Sequence, residues 1–164
     1  MSPLILLREL DLLKHKKTVL DVGTKDGFIA AKFAELGMKV DAIDIQDMER
    51  TIDGVNFEKI GVSDFLDKNT KKYDITVRRH VVHHLANPKE IIARLNTVSN
   101  IFVFTCFGPK DDWAGKVSIL SHDEVLSMFE PESVRHHSEA FQYGKTYSGD
   151  EKFWHINTFV IRNS

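Results

Sequence analysis

The stretch from Thr18 to Ile45 reads TVLDVGTKDGFIAAKFAELGMKVDAIDI, and its pattern decides the fold. An apolar run meets glycine at Gly23 and again at Gly27, continues with helical periodicity, stops at Gly37 and resumes as a second apolar run. This order predicts a strand, a tight turn, a helix and a second strand. Two strands joined by one helix form a parallel, right-handed βαβ unit.

The turn and the end of the second strand suit a ligand that contains a nucleoside. Gly23 and Gly27 let the backbone turn sharply and bring a ligand close to bare amides at a helix N-terminus. Asp44 ends the second strand, where its carboxylate can accept hydrogen bonds from both hydroxyls of a ribose. Asp21 precedes the turn, and this acid would repel a pyrophosphate but suits the ammonium of an amino-acid moiety. The middle glycine of the dinucleotide fingerprint G-x-G-x-x-G is also missing, which disfavours a nicotinamide-dependent oxidoreductase.

At these residues the chain resembles the class I S-adenosylmethionine-dependent methyltransferases, whose first motif is (D/E)-x-G-x-G-x-G with an acid ending the next strand. The segment DVGTKDG, residues 21–27, matches at the acid and the outer glycines, and Asp44 falls at the ribose position. Lys25 stands where the family has its central glycine, and we expect its ammonium to pair with the methionine carboxylate. The resemblance implies S-adenosylmethionine as cofactor and S-adenosylhomocysteine as product. From this part of the chain it predicts seven binding residues: Asp21, Gly23, Thr24, Lys25, Gly27, Asp44 and Ile45.

The same resemblance assigns residues further along the chain. In the family, an acid after the third strand receives the adenine amino group and the next backbone amide faces the ring, which here gives Asp64 and Phe65. A helix cap explains Asp64 equally well. The segment RRHVVHHL, residues 78–85, is similar to the family's H-V-L-H-H-L segment after the fourth strand. By that similarity the backbone near Arg79 contacts the methionine part, and His80 faces the sulfonium as a positioning group or base.

A metal site is the alternative for the histidines of this segment. His80, His83 and His84 would share one face of a helix, which is the geometry that metal binding needs. No Asp, Glu or Cys lies at a matching local spacing, and histidine ligands need such partners and acceptors. We therefore predict no metal site.

The rest of the chain continues the alternation of strands and helices. Further strands are predicted at 57–62, 73–77 and 101–107, helices up to Lys14 and at 87–96 and 125–129, and a hairpin at 133–143 and 153–161. Capping boxes are predicted at Asn87 with Glu90 and at Ser121 with Glu124. The predicted fold is α/β, a Rossmann-like, doubly wound, seven-stranded sheet, mostly parallel with a C-terminal antiparallel hairpin and helices on both faces. We expect a single methyltransferase-like domain, 1–164, with a leading helix (1–15), a cofactor-binding half (17–106) and an acceptor-side half with the closing hairpin (107–164).

Composition restricts the cellular setting. The 164 residues carry a formal net charge of −2, which gives no overall attraction to nucleic acid or an anionic membrane. Short basic runs, including Arg78-Arg79, are interpreted as solvated loops or strand ends. The single Cys106 suits a reducing compartment. No signal core or run of about 18 apolar residues is present, so we expect a cytoplasmic protein without a membrane partner.

These observations predict an enzyme that transfers a methyl group to an acceptor by in-line displacement. The alternative is a non-catalytic nucleoside-binding or scaffold protein that keeps the fold. The acceptor is not identified and is either a small molecule or part of a macromolecule. The chain has little beyond the core to cover the acceptor, so either the pocket is open or a second subunit of a homo-oligomer covers it.

Overall fold

The computed structural model describes residues 7–8, 10–48, 50–79, 85, 87–107, 120–145 and 151–163. Its strands are β1 (Thr18–Val22), β2 (Lys39–Asp44), β3 (Val55–Lys59), β4 (Tyr73–Arg78), β5 (Ser99–Phe107), β6 (Val134–Lys145) and β7 (Glu151–Arg162). The helices with described bounds are α1 (Phe28–Glu35), α2 (Val62–Lys68), α3 (Pro88–Thr97) and α4 (His122–Leu126), and a short 3-10 helix covers Pro131–Ser133.

The strands form one seven-stranded sheet in the order β3-β2-β1-β4-β5-β7-β6. The first five strands run parallel, whereas β7 pairs antiparallel with both β5 and β6. The predicted fold is therefore confirmed, including the C-terminal hairpin. The chain moves outward from β1 to β2 and β3, then returns to the other side of β1 for β4. Ligands of open α/β sheets bind at such a switch point, beyond the carboxyl ends of the strands.

Apolar side chains cover both faces of the sheet, as the near-continuous apolar runs of parallel strands require. On one face Val19, Val77 and Val103 pack against Ile29 and Phe33 of α1. The other face is larger and packs against α2, α3 and α4, and its aromatic part includes Phe104 stacked between two rings at centroid distances of 5.0 and 5.2 Å. Burial on both faces fixes the sheet, so the carboxyl ends of β1, β2 and β4 are held in register.

Several predicted boundaries are corrected by the structure. The third strand is Val55–Lys59 instead of 57–62, because Gly61 is the N-cap of α2 and Val62 already belongs to the helix. The fifth strand begins earlier, at Ser99, and α4 covers His122–Leu126 instead of 125–129. The leading helix also ends earlier than Lys14, since Leu10 is already in a turn and Asp11 has a φ of 53°.

The two predicted capping boxes have different outcomes. Ser121 forms its box, because its hydroxyl accepts from the Glu124 amide at 3.1 Å and the Glu124 carboxylate accepts from the Ser121 amide at 3.0 Å. Asn87 makes no side-chain cap bond, so the box with Glu90 is wrong, although Pro88 does occupy the first turn of α3. In the described part of the chain, no helix has both the length and the hydropathy needed to span a bilayer.

Candidate cofactor site

The turn between β1 and α1 is built from residues with left-handed backbone conformations. Gly23, Lys25 and Gly27 have φ values of 75°, 53° and 73°. The Gly23 amide donates to the Ile43 carbonyl at 2.8 Å, and the Gly27 amide donates to the Thr24 carbonyl at 3.0 Å. These bonds tie the turn to β2 and fold it tightly over the carboxyl end of the sheet.

Gly27 is required for packing as well as for its conformation. A methyl group placed on Gly27 would lie 2.4 Å from Cδ1 of Ile52 and 2.8 Å from Sδ of Met48. Both side chains come from the segment after β2, so this segment closes directly over the turn. The predicted role of the outer glycine therefore includes close packing of the loop that follows Asp44.

We expect Gly27→Ala to destabilise the fold more than Gly37→Ala does. Gly37 has a similar φ of 78°, but a methyl group there would meet nothing within 4 Å, so it measures the conformational cost alone. Crowding at Gly27 adds about 1 kcal/mol to that cost, at the low end for overpacking, because the flexible ends of Ile52 and Met48 can shift. Urea unfolding of both variants measures the difference, and equal losses would show that Ile52 and Met48 do not constrain the turn.

Asp44 organises the loop at the carboxyl end of β2. One carboxylate oxygen accepts from the Lys25 amide at 2.9 Å and the other accepts from the Gln46 amide at 2.9 Å. The side chain is only half-buried, and each oxygen has a second lone pair. Asp44 can therefore accept two ribose hydroxyls while it holds the loop, as the sequence predicts.

Lys25 fits the position of a central glycine only with a strained backbone. Its φ of 53° is left-handed, and its side chain is exposed. An L-residue with a side chain adopts this conformation at a cost of about 1–2 kcal/mol. Its backbone amide donates to Asp44, so the side-chain ammonium is the group of Lys25 that can bind a ligand.

We expect Lys25→Met and Lys25→Gly to lower the affinity for S-adenosylhomocysteine several-fold, because both remove the ammonium that pairs with the carboxylate. The deficit shrinks at high salt, which screens an exposed charge pair. Lys25→Gly also stabilises the free protein by about 0.5–1 kcal/mol through relief of the left-handed backbone. Calorimetric titration and urea unfolding measure the two effects, with Lys39→Met at the opposite end of β2 as the control for loss of charge. Tighter binding by Lys25→Gly would reject the pairing.

Asp21 is a buried acid at the carboxyl end of β1. Only 2% of it is exposed, and its carboxylate accepts from the Thr24 hydroxyl at 2.8 Å. Burial raises the pKa of Asp21 from 3.8 to about 6, against the opposing hydrogen bonds from Thr24 and the Ala30 amide, and the charges of Asp44 and Asp26 raise the pKa further. A carboxylate that is held in place but lacks a counter-charge is suited to the ammonium of a ligand.

Two amides in the first turn of α1 already donate to carboxylates of the chain itself. Asp26 accepts from the Phe28 amide at 3.1 Å, and the Ala30 amide bonds to Asp21. A pyrophosphate bound at a helix N-terminus needs these amides and their positive potential. The local charge is instead negative, which agrees with the sequence argument against a dinucleotide.

The structure brings a third acid to the same edge of the sheet. A methyl group placed on Gly61 would lie 3.6 Å from Oδ2 of Asp64 and 3.9 Å from Cγ2 of Ile45. Ile45 follows Asp44 directly and is 72% exposed, and Asp64 is in the first turn of α2. An exposed apolar side chain beside a carboxylate matches the flat face and amino group of an adenine.

The interpretation of Phe65 is corrected. Its ring is buried in the core, and its amide donates to the Gly61 carbonyl at 2.9 Å within α2. That amide is not available to an adenine ring. The amides of the first turn of a helix have no acceptor within the helix, so Ser63 and Asp64 supply the better donors.

The remaining site predictions fall at the end of β4. Arg79 is exposed just beyond the strand, so its backbone lies at the edge where the ligand is expected. His80, His83 and His84 lie outside the described residues, so the role of His80 and the absence of a metal stay predictions. Arg78 is fully buried instead of solvated, so the interpretation of Arg78-Arg79 as a strand end in solvent is wrong for its first residue.

A groove of about 200 Å³ lies away from this edge, on the side of β2 and β3 that α2 covers. Its polar centre is Asp41, which accepts from Lys71, Tyr73 and Asn56 at 2.8, 2.8 and 3.1 Å. These bonds satisfy the carboxylate of Asp41, and we place the site at the carboxyl ends of the strands, where ligands of open α/β sheets bind.

The fold and this site define a nucleoside-binding protein of the methyltransferase class. A family model described as "Methyltransferase domain" matches residues 3–146. This is more than half of the chain, which therefore belongs to that methyltransferase family and has the class I architecture. No curated protein matches the chain in sequence.

Solved structures show the same fold at low sequence identity. TehB from Haemophilus influenzae aligns with a TM-score of 0.73 and 12% identity over 96% of this chain, which spans 61% of TehB. A SAM-dependent methyltransferase from Archaeoglobus fulgidus aligns at 0.70 and 15% identity, over 98% of this chain and 92% of that protein. The 1,6-didemethyltoxoflavin-N1-methyltransferase of Burkholderia thailandensis, crystallised with bound 1,6-didemethyltoxoflavin and S-adenosylhomocysteine, aligns at 0.65 and 18% identity over 98% of this chain and 76% of that one.

Proposed function

We propose that this protein is an enzyme that transfers the methyl group of S-adenosylmethionine to an acceptor. The observation that carries the proposal is the arrangement of three carboxylates along one edge of the sheet. Asp64 at the start of α2, Asp44 at the end of β2 and Asp21 at the end of β1 follow the strand order β3-β2-β1. Adenine, ribose and methionine ammonium come in this same order in the cofactor.

The residues of the site fit the cofactor by their chemistry. Asp44 keeps two lone pairs for the ribose diol, and Ile45 offers an exposed apolar face to the adenine. Asp21 offers a buried carboxylate to the ammonium, and Lys25 offers an exposed ammonium to the carboxylate. When bound, S-adenosylmethionine supplies an electrophilic methyl group on a sulfonium that is already a good leaving group.

The protein's part in such a transfer is alignment and exclusion of water. The acceptor atom donates an electron pair to the methyl carbon as the carbon–sulfur bond breaks, so the two bonds must lie in line. The turn after β1 is held by hydrogen bonds to Ile43 and Asp44, and it fixes the position of the methyl donor in this line. His80 is retained as the proposed positioning group or base on the other side, by resemblance to the family.

One observation favours the alternative of a non-catalytic nucleoside-binding protein. The turn imposes a left-handed backbone on Lys25, a residue with a side chain, at a position where the family has glycine. Such a substitution is tolerated in a site that binds the cofactor without turning it over. The two candidates share the ligand and differ in whether the methyl group is transferred.

Calorimetric titration with S-adenosylhomocysteine and with NAD tests the ligand class. We expect saturable one-to-one binding of the first and none of the second. Incubation of a cell extract with S-adenosylmethionine labelled in its methyl group then tests transfer, with Asp44→Ala as the inactive control. Binding without any protein-dependent labelling would favour the non-catalytic alternative, and binding of NAD alone would reject both.

We also propose a cytoplasmic location. The single Cys106 is buried and free, and burial raises the pKa of its thiol to about 12, so it is an inert apolar side chain. Such a thiol fits a compartment that keeps cysteines reduced.

A further inference from the structure

Arg78 is a buried arginine without a counter-charge among the residues that the structure describes. It ends β4, where its Cα partners are Val22 of β1 and Phe104 of β5, and the residue is 0% exposed. Val22 and Phe104 belong to the larger core, which contains α2, α3 and α4. A guanidinium among such neighbours is removed from water on every side, and burial lowers its pKa from 12.5 to about 9. It is still a cation at neutral pH.

The guanidinium also lacks hydrogen-bond partners. Nε, Nη1 and Nη2 of Arg78 are all buried, and none of them is bonded within the part of the chain that the structure describes. An arginine carries five N–H donors in a fixed planar fork. Buried charges in proteins are normally paired, so an arginine left with all its donors unpaired indicates that its partner arrives with a ligand.

Asp21 does not supply the missing charge, although it lies on the neighbouring strand β1. Asp21 is in register with Val77, one residue before Arg78, and with Ala42 of β2, and both of these residues belong to the core on the α1 side of the sheet. Successive residues of a strand point to opposite faces. Asp21 and Arg78 therefore lie on opposite faces, and the charges that shift the pKa of Asp21 are those of Asp44 and Asp26.

The position of Arg78 along the edge of the sheet separates its side chain from the cofactor residues on β1, β2 and α2, and only the predicted backbone contact near Arg79 lies beside it. Asp64, Ile45 and Asp44 define the adenosine end at α2 and β2, and the turn after β1 takes the methionine part. β4 lies on the other side of β1. A group bound at the end of β4 therefore lies past the methionine end, where a molecule that receives the methyl group must enter.

We propose that Arg78 binds an anionic group, a carboxylate or phosphate, of the methyl acceptor. The assignment of the anion to a methyl acceptor rests on the proposed function, whereas the anion site itself rests on Arg78 alone. The planar fork matches either anion through two parallel hydrogen bonds. The acceptor is then an acidic molecule whose anion is anchored beneath the edge of β4 and whose nucleophile faces the cofactor.

Inorganic phosphate is the probe for the anion site. Thermal unfolding is followed in increasing sodium phosphate, with sodium chloride added to keep the ionic strength constant. A ligand that binds only the folded state raises the unfolding temperature with its concentration. We expect a saturable rise in unfolding temperature for the wild type. The apparent affinity for phosphate should be at least about tenfold weaker in Arg78→Met. It should be intermediate in Arg78→Lys, which keeps the charge without the fork.

Arg162→Met is the matched control, because Arg162 is exposed at the end of β7 and loses the same charge. It should respond to phosphate as the wild type does. A wild type with no rise beyond that in chloride overturns the proposal, and so does an Arg78→Met variant that responds like the wild type. If Arg78→Met does not fold, the comparison of Arg78→Lys with the wild type decides, and an unchanged response of that variant overturns the paired geometry.

Titration with S-adenosylhomocysteine shows whether the anion that Arg78 binds belongs to the acceptor or is the carboxylate of the cofactor. We expect Arg78→Lys and Arg78→Met to bind it within about twofold of the wild type, since neither changes the cofactor residues. A loss of about tenfold or more would assign Arg78 to the carboxylate of the cofactor and overturn the acceptor site. A wild type that binds phosphate through Arg78 but does not bind S-adenosylhomocysteine would reject the proposed function alone.

Discussion

Asp44→Ala is expected to weaken the binding of S-adenosylhomocysteine by about ten- to a hundredfold, from the loss of charge-assisted hydrogen bonds that contribute about 1.5–3 kcal/mol. The structure adds a second reason for a loss at the upper end of this range. The same carboxylate accepts from the Lys25 and Gln46 amides, so the alanine variant also frees the loop that must be ordered before the ligand binds. Calorimetric titration measures the loss.

Asp47→Ala is the matched control for this variant. Asp47 lies three residues further on and is exposed. It forms an ion pair with Lys59, with 2.6 Å between the charged atoms, and this pair is not part of the turn. Exposed pairs of this kind contribute about 0–1 kcal/mol, so we expect nearly unchanged affinity. Asp44→Asn should fall between wild type and alanine, because it keeps one acceptor oxygen and loses the charge. An alanine variant that binds as the wild type does would remove Asp44 from the ribose.

Asp21→Asn is expected to abolish most cofactor affinity and the pH dependence that comes with it. The pKa of Asp21 in the free protein is raised to about 6 by burial. The ammonium of the ligand needs the ionised acid, so the wild-type affinity should fall as the pH drops through about 6, by up to tenfold per pH unit. The asparagine variant has no group to ionise here and should bind weakly at every pH. Titrations between about pH 5 and 8 measure both profiles.

The same substitution should stabilise the free protein. A folded pKa above the reference value of 3.8 means that the neutral acid is favoured on folding, so its contribution is fully present below 3.8 and is lost as the pH rises through about 6. At about pH 8 the ionised acid destabilises the fold by about 1–3 kcal/mol, which asparagine avoids. Urea unfolding should show a gain for Asp21→Asn at about pH 8 that shrinks toward pH 5. A loss of stability at the higher pH, together with unchanged binding, would make Asp21 a structural group.

The sequence predicted the architecture because its signals are local. Glycines at the ends of apolar runs mark the βαβ unit, and continuous apolar strands identify a parallel sheet buried on both faces. Asp44 and the outer glycines were predictable for the same reason, since their roles depend on where one strand ends. The spacing of Ser121 and Glu124 likewise predicts a cap that needs no distant partner.

Features that depend on neighbouring elements were not predictable from the sequence. Phe65 has the sequence position of a ligand contact, but α2 begins at Val62, and the Phe65 amide is bonded within that helix. The burial of Arg78 depends on β4 lying between β1 and β5 with helices over both faces of the sheet, whereas its neighbour Arg79 suggests a solvated pair. A signal existed nevertheless, because a residue that continues a central parallel strand on the face of Thr76 is expected to be buried.

A crystal structure of the protein grown with S-adenosylhomocysteine tests the central claim most directly. We expect the ribose hydroxyls at hydrogen-bond distance from Asp44, the adenine against Ile45 and Asp64, and the amino-acid end over the turn beside Asp21. The cofactor should make no contact with the Arg78 side chain. Electron density that places the nucleoside in the groove beside Asp41, or the amino-acid end away from Asp21, would contradict the account.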